Sequence, residues 1–284
     1  MIISLSNPHS PFLLLFFFFF FTILTLHSLT VTSATCHVDD ETGLLGFKSS
    51  ITADPSGILS SWKPGSDCCT WSGITCLVSK RVTSLYLMGQ SNKPNSFLSG
   101  PISPSLSKLK FLDGLYLRNL RNISGPFPDF LFGLPEFKYI YIDNNKLSGR
   151  IPGSIGNLTR LYSLSLSDNQ FSGPIPSSIS QLTGLTQLNL GGNRLTGPIP
   201  NGIQKLKNLT LFSLDRNQLS GSIPDFSDPS RSSEFSGSRT TNLPGNSRHR
   251  FPLWRQNCST SSSPKPVSTV KFPNFSGISR PSTR

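Results

Sequence analysis

The sequence is poor in the residues on which most enzymes rely. It holds four histidines and 14 acidic residues in 284, and only 14% of its residues are charged. After residue 34 the only histidines are His37 and His249. No nucleophile elbow, phosphate-binding P-loop or dinucleotide-binding glycine motif occurs. We therefore expect a protein that is not an enzyme and that needs no cofactor.

The sequence contains only one long hydrophobic run. Residues 11–26 read PFLLLFFFFFFTILTL, and the small residues Thr32, Ser33 and Ala34 follow. A membrane span needs about 20 apolar residues, so this run favours a signal peptide over residues 1–34, with a membrane anchor as the alternative. We expect a secreted chain with no membrane span in its mature part.

Basic residues exceed acidic ones, which gives a formal charge of +12. Residues 225–284 hold nine Lys or Arg and three acidic residues, so they carry half of that charge. These cations follow no periodic face and hardly alternate with aromatic residues, so no nucleic acid is expected as a partner. An acidic polysaccharide is the more natural electrostatic partner, and plain solvated charge is the alternative.

The middle of the chain is built by repetition. LSLSDNQFSGPIPSSISQLTG begins at Leu164, and LNLGGNRLTGPIPNGIQKLKN begins 24 residues later. Copies start at Phe137, Leu161, Leu185 and Leu209, and looser copies start at Leu112 and Val82. One 24-residue unit cannot bury its own apolar face. The pattern therefore predicts about six stacked units with a continuous core.

Each position of the repeat has a physical role. Alternating leucines predict a strand with one buried face. The asparagine that follows must satisfy a buried amide, and stacking lets it bond the backbone of the next coil. An Ile-Pro pair and a short outer helical turn complete the unit. These asparagines are Asn145, Asn169, Asn193 and Asn217.

The motif Leu-x-x-Leu-x-Leu-x-x-Asn-x-Leu-x-Gly-x-Ile-Pro resembles the plant-type leucine-rich repeat, over about residues 36–224. The resemblance implies an α/β fold, namely a leucine-rich-repeat solenoid with a parallel β-sheet on its concave face. It also implies a second short strand around Gly-x-Ile-Pro. We divide the chain into a signal peptide (1–34), a Cys-rich cap (35–81), repeats (82–224) and a Ser/Pro/Arg-rich tail expected to be disordered (225–284).

The cap holds four cysteines, which allow three pairings. They are Cys36, Cys68, Cys69 and Cys76. A vicinal bridge would be strained, which leaves two options. The segment resembles the N-terminal cap of polygalacturonase inhibitors and DNA-damage-toleration-type proteins, and this implies the pairs Cys36–Cys68 and Cys69–Cys76. A zinc site with His37 is the rival interpretation, but CxxC spacing is absent, so no metal is expected.

Candidate binding residues lie between the strand leucines, where they face out from the concave sheet. Tyr86, Tyr116 and Tyr141 share one repeat position, and aligned tyrosines are typical of protein interfaces. The alternative is that they only pack against each other across strands. The full set is Tyr86, Tyr116, Arg118, Lys138, Tyr139, Tyr141, Asp143, Tyr162, Ser165, Gln187, Asn189, Asp215 and Arg216.

Glycan acceptors are the next expectation. Asn122, Asn157 and Asn208 begin N-x-Ser/Thr sequons within the repeats, and two more sequons lie in the tail. We expect Asn157 and Asn208 to share one position after the outer helical turn.

The repeat stops after residue 224, and Cys258 in the tail has no obvious partner. We hypothesise that the tail comes from a shifted reading frame or a retained intron. The competing interpretation is a genuine basic tail that binds acidic wall polymer.

The resemblance implies a secreted recognition protein of the plant cell wall, with a defence role like that of the polygalacturonase inhibitors. Its expected partner is an extracellular protein, either a hydrolase or a receptor ectodomain, or else a pectic polymer. Alternatives are a co-receptor-like module, attachment to ice-like surfaces, or a truncated product without function.

Overall fold

The computed structural model describes residues 36–222 and 224, and two sheets run through them. The concave sheet has seven strands in the order β1-β2-β4-β6-β8-β10-β12. Only β1 is antiparallel to its neighbour. The strands are β1 (Ile74–Cys76), β2 (Val82–Met88), β4 (Gly114–Arg118), β6 (Tyr139–Tyr141), β8 (Ser163–Ser165), β10 (Gln187–Asn189) and β12 (Leu211–Ser213).

The second sheet has six strands in the order β13-β11-β9-β7-β5-β3. The strands β7, β9 and β11 end directly before their Ile-Pro pairs, so they include the Gly-x part of the motif and stop slightly earlier than the resemblance implied. The strands are β3 (Leu98–Pro101), β5 (Arg121–Gly125), β7 (Lys146–Arg150), β9 (Gln170–Pro174), β11 (Arg194–Pro198) and β13 (Gln218–Ser220).

Within the described residues, a 3₁₀ turn closes five of the six repeats on the outside, as the spacing of their apolar residues predicts. One face of each turn is buried, for example Ile155 and Ile179. The turns are Pro104–Lys108, Asp129–Gly133, Gly153–Asn157, Ser177–Gln181 and Asn201–Lys205, and Cys68–Thr70 forms a similar turn in the cap. Strands, turns and core together are those of a leucine-rich-repeat solenoid, which confirms the predicted fold class.

The repeat asparagines form a ladder through the core. Nδ2 of Asn193 donates to the carbonyls of Leu190 (3.0 Å) and Leu166 (2.9 Å), and its Oδ1 accepts from the N–H of Phe171 (3.0 Å). Asn169 and Asn217 repeat the arrangement. Each side chain therefore bonds its own repeat and the preceding one. The prediction that each asparagine bonds the next coil is therefore wrong, because the asparagine bonds the preceding one.

One backbone position is left-handed in five repeats. These residues lie one to three positions past the concave strand and have φ between 53° and 66°: Asn119, Asn144, Asp168, Gly192 and Arg216. Asn, Asp and Gly adopt this conformation at low cost, whereas arginine rarely does. Arg216 is held there by contacts described below.

The cap covers the first repeat with helix α1 (Val38–Ser50). His37 caps its first turn, which also holds Asp39, Asp40 and Glu41, and this suits the positive end of a helix. Phe47 and Trp62 are fully buried. Disulfides join Cys36 to Cys68 and Cys69 to Cys76, as the resemblance implied.

Three expectations concern residues outside the described part of the chain. They are the signal peptide (1–34), the tail (225–284) with Cys258, and the tail sequons. Between residues 36 and 222, no helix has both the length and the apolar character needed to cross a bilayer.

Candidate binding surface on the concave sheet

All five tyrosines of the chain gather on the concave sheet. Strand register places Tyr86 beside Tyr116 and Tyr116 beside Tyr141. Tyr139 lies two residues before Tyr141 on the same face, and Tyr162 comes just before β8. We call these five residues the tyrosine cluster.

The rings of the tyrosine cluster pack against one another. Tyr116 stacks on Tyr141, with centroids 5.2 Å apart and planes at 10°, and its centroid lies 5.5 Å from that of Tyr86. Tyr139 meets Tyr162 edge-on at 5.8 Å. Burial raises the pKa of Tyr116, and the neighbouring Tyr141 adds to the shift. Cross-strand packing is therefore present at the centre of the cluster.

The ends of the cluster remain accessible. Tyr86 is 44% exposed, Tyr162 is 48% exposed, and the adjacent Met88 is 40% exposed. An open groove of about 370 Å³ runs from Tyr86 and Met88 towards Ile58 and Lys93. Apolar surface therefore continues from the sheet onto the cap.

Polar contacts hold the inner rings in place. The hydroxyl of Tyr141 donates to Oε1 of Gln187 (2.8 Å) and accepts from Ser163 (2.8 Å). Burial raises the pKa of Tyr141, while the hydrogen bond from Ser163 and the charge of Arg118 oppose that shift. The neutral phenol is thus the form that the site holds at neutral pH.

Asp143 and Ser165 lie on the concave face but are covered, so the expectation that they face solvent is wrong. They are 7% and 6% exposed. Asp143 accepts from the hydroxyls of Ser165 and Ser167 and from Nε of Arg118 (3.2 Å). Burial raises the pKa of Asp143, against the effect of these partners. The guanidinium of Arg118 also lies 5.7 Å from the Tyr141 ring centre.

A second charged group lies near the last described repeat. Arg216 pairs with Asp215 (3.0 Å) and reaches Asp168, two repeats away, at 2.8 Å. Gly192 lies in the repeat between Arg216 and Asp168, and a Cβ added there would lie 2.3 Å from Asp168 Oδ1. The sequence analysis did not include Asp168 among the candidate binding residues, although Asp168 occupies the same repeat position as Arg216.

The remaining predicted residues lie near the sheet. Lys138 precedes β6 and is half-buried. Asn189 ends β10, and its Oδ1 accepts from the N–H of Gly191 (3.1 Å). The backbone carbonyl of Lys138 accepts from the N–H of Tyr162 (2.8 Å), which links Lys138 to the tyrosine cluster through the main chain.

The three sequon asparagines do not share a setting. Asn122 is half-buried on β5, and Asn157 is the last residue of the outer turn Gly153–Asn157. Asn208 lies three residues beyond the turn Asn201–Lys205, two repeats later. Asn157 is equivalent to Lys205, so the expectation that Asn157 and Asn208 share one repeat position is wrong.

Fold and surface together define a repeat-built scaffold that presents one aromatic face. Family models agree with this description. A "Leucine rich repeat N-terminal domain" model matches residues 37–77, and leucine-rich-repeat models match residues 136–158 and 159–219.

Known proteins show the same relationship. The chain is 36% identical to the DNA damage-repair/toleration protein DRT100 of Arabidopsis thaliana, over 39% of this chain and 32% of that protein. It is 39% identical to polygalacturonase inhibitor 2 of the same plant, over 32% of this chain and 26% of the inhibitor. A plant ice-binding protein structure superposes with a TM-score of 0.61 at 33% identity, covering 66% of this chain and 59% of that one.

This chain is a plant-type leucine-rich-repeat protein, similar to the polygalacturonase inhibitors. The matched region spans between a quarter and a third of the length of these curated relatives.

Proposed function

We propose that this chain is an extracellular recognition protein of the plant cell wall whose concave sheet binds a pectin-degrading hydrolase. The observation that carries the proposal is the tyrosine cluster, a packed aromatic surface with exposed ends. Similarity to polygalacturonase inhibitors supports a hydrolase as the partner. We infer no catalytic role for the chain.

The size of the surface suits a protein partner. Six parallel strands at about 4.8 Å spacing span about 25 Å, enough for a standard interface of about 800 Å² per partner. The inner rings are already fixed by stacking and by Gln187. Binding then loses little side-chain entropy, which makes such rings good anchors.

Replacement of Tyr86 or Tyr162 by alanine is expected to weaken binding to a fungal endopolygalacturonase. An exposed tyrosine that a partner covers on binding contributes about 2 kcal/mol, so each change should raise the inhibition constant about 30-fold. Inhibition of polygalacturonic acid hydrolysis by the full secreted chain is the measurement. Val78→Ala is the matched control, because Val78 is a fully exposed apolar residue on the cap.

Equal inhibition by all three variants would place the hydrolase site elsewhere. Absence of inhibition by the unchanged protein across fungal and insect enzymes would reject the hydrolase as partner. Binding of a receptor ectodomain, reduced by the same tyrosine changes, would then assign the surface to a co-receptor-like role.

A second candidate function, attachment to a pectic polymer, is favoured by the second sheet. Its six strands contain four cations and no acidic residue. Lys146, Arg150 and Arg194 are exposed on this sheet, whereas Arg121 donates to backbone carbonyls of residues 91 and 94. Exposed cations on a sheet whose strands hold no acidic residue attract a polyanion such as polygalacturonate.

Changing Lys146, Arg150 and Arg194 together to glutamine should reduce retention on immobilised polygalacturonate. The unchanged protein should elute as salt rises above about 0.15 M, where the Debye length falls to about 8 Å, and the variant should elute at lower salt. Lys108, Lys110 and Lys205 changed to glutamine form a control of equal charge. Equal losses in both variants would mean that net charge alone causes retention.

A further inference from the structure

A shallow groove lies on the outer side of the solenoid, away from both sheets. It has a volume of about 320 Å³ and is formed by residues 132–137 of one repeat and 157–160 of the next. Phe132 and Pro135 supply its open apolar lining, over the buried Leu134 and Phe137, while Thr159 and Arg160 supply polar groups. Such a size is at the lower end of small-ligand sites.

The aromatic lining is particular to this repeat. Phe132 stands where other described repeats have Ser107, Gly156, Ser180 and Gln204. One face of its ring stacks on Phe127, at 5.6 Å and 13°. The ring is only partly buried and lines the groove.

Asn157 lies in the same groove and begins the sequon Asn-Leu-Thr. Its side chain is exposed and has no hydrogen-bond partner within the described residues. Asn208 differs, because its Nδ2 donates to the carbonyl of Thr183 at 3.0 Å. Among the sequon asparagines of the described residues, Asn157 is therefore the one that is exposed and has no side-chain hydrogen bond, since Asn122 is half-buried and Asn208 is bonded.

We propose that Asn157 is N-glycosylated and that the first N-acetylglucosamine of this glycan lies in the groove against Phe132. The proposal rests on the extracellular location given in the proposed function. The amide nitrogen of Asn157 forms the bond to the sugar, and the lipid-linked oligosaccharide donor of the secretory pathway loses its diphosphate carrier. The sequon threonine, Thr159, is exposed at the rim of the groove.

The chemistry of groove and sugar is complementary. The ring hydrogens on one face of a pyranose carry partial positive charge and pack well on the negative face of an aromatic ring. Its hydroxyl and acetamide groups lie at the edge, where they meet the polar rim. Arg160 is held there by Glu136 at 2.7 Å. A seated sugar covers apolar lining that the protein alone leaves open, so it should stabilise the fold.

The test is a thermal double-mutant cycle on the full chain secreted from plant cells. Peptide mapping should find Asn157 occupied. Thr159→Ala removes the sequon and should lower Tm by about 2–4 °C. In a Phe132→Leu background, which lowers Tm by itself, the same sequon loss should change Tm by less than half as much. Asn208→Gln is the control, and its effect should not depend on Phe132.

Two results would overturn the inference. One is a secreted protein that is glycosylated at other sequons but bare at Asn157. The other is a Tm loss on sequon removal that is the same with Phe132 as with leucine. A chain that is not secreted at all carries no glycan anywhere, and that outcome rejects the extracellular proposal as well.

Discussion

Asn169→Ala should lower the free energy of unfolding by about 3–5 kcal/mol. The Asn169 side chain is buried, its Oδ1 accepts from the N–H of Leu147 (3.1 Å), and its Nδ2 donates to the carbonyl of Ile142 (2.6 Å). Alanine leaves both backbone groups without this partner, at about 1–3 kcal/mol each, and leaves a cavity as well. Urea unfolding of the full chain under non-reducing conditions measures the loss.

Asn145→Ala is the matched control, because the ladder is incomplete at Asn145. Its Nδ2 donates to the carbonyls of Leu117 and Asp143, but its buried Oδ1 has no partner within the described residues. The preceding repeat has Leu120 at the asparagine position and one extra residue before Ile123, which displaces the N–H that would donate. We expect a loss of about 1–2 kcal/mol. Equal losses for Asn169→Ala and Asn145→Ala would contradict the prediction that the complete set of ladder bonds at Asn169 adds stability.

Asp40→Ala should cost about 3–5 kcal/mol and should loosen the cap first. Asp40 is fully buried and accepts from Nε and Nη2 of Arg81, both at 2.9 Å, and from the N–H of Val82 at 2.9 Å. Removing the carboxylate leaves a largely buried guanidinium that cannot lose its proton. Stacked repeats contact mainly their neighbours, so amide-exchange protection should fall in residues 36–88 before it falls in later repeats.

Two further variants test whether the loss of stability comes from the Asp40–Arg81 ion pair. Asp40→Ala combined with Arg81→Ala should cost less than the sum of the single changes, since neither charge is then left unpaired. Lys80→Ala removes the neighbouring Lys80–Asp67 pair (2.8 Å), whose lysine is more exposed, and should cost at most about 1 kcal/mol. A strictly additive double variant would contradict the role given to the Asp40–Arg81 pair.

Much of the fold followed from periodicity. The repeat predicts a strand, a buried asparagine and an outer turn for each unit because each position answers a local physical need. Buried Leu164 and Leu166, the asparagine ladder and the outer 3₁₀ turns all agree with it. The direction of the ladder could not be predicted, since a sequence does not say which neighbour lies within reach of an amide.

The candidate surface was harder to predict. Aligning the repeats brings Tyr86, Tyr116 and Tyr141 together, and their register confirms that placement. The contacts of the buried Asp143 with Ser165, Ser167 and Arg118 depend on side-chain rotamers, and an alignment of the repeats carries no such information. The contact of Arg216 with Asp168 likewise depends on Gly192, one repeat from each partner, because glycine has no side chain to block the path between them.

By itself, the sequence determined the class of this protein: a solenoid of about six repeats behind a disulfide-bonded cap. Repetition makes that inference secure, because every copy presents the same apolar residues at the same spacing to its neighbours. Tertiary structure alone decided which concave residues stay accessible, that Asp40 locks the cap to the first repeat, and that Phe132 and Asn157 share a groove. These features arise between repeats, where side chains far apart in sequence compete for the same space.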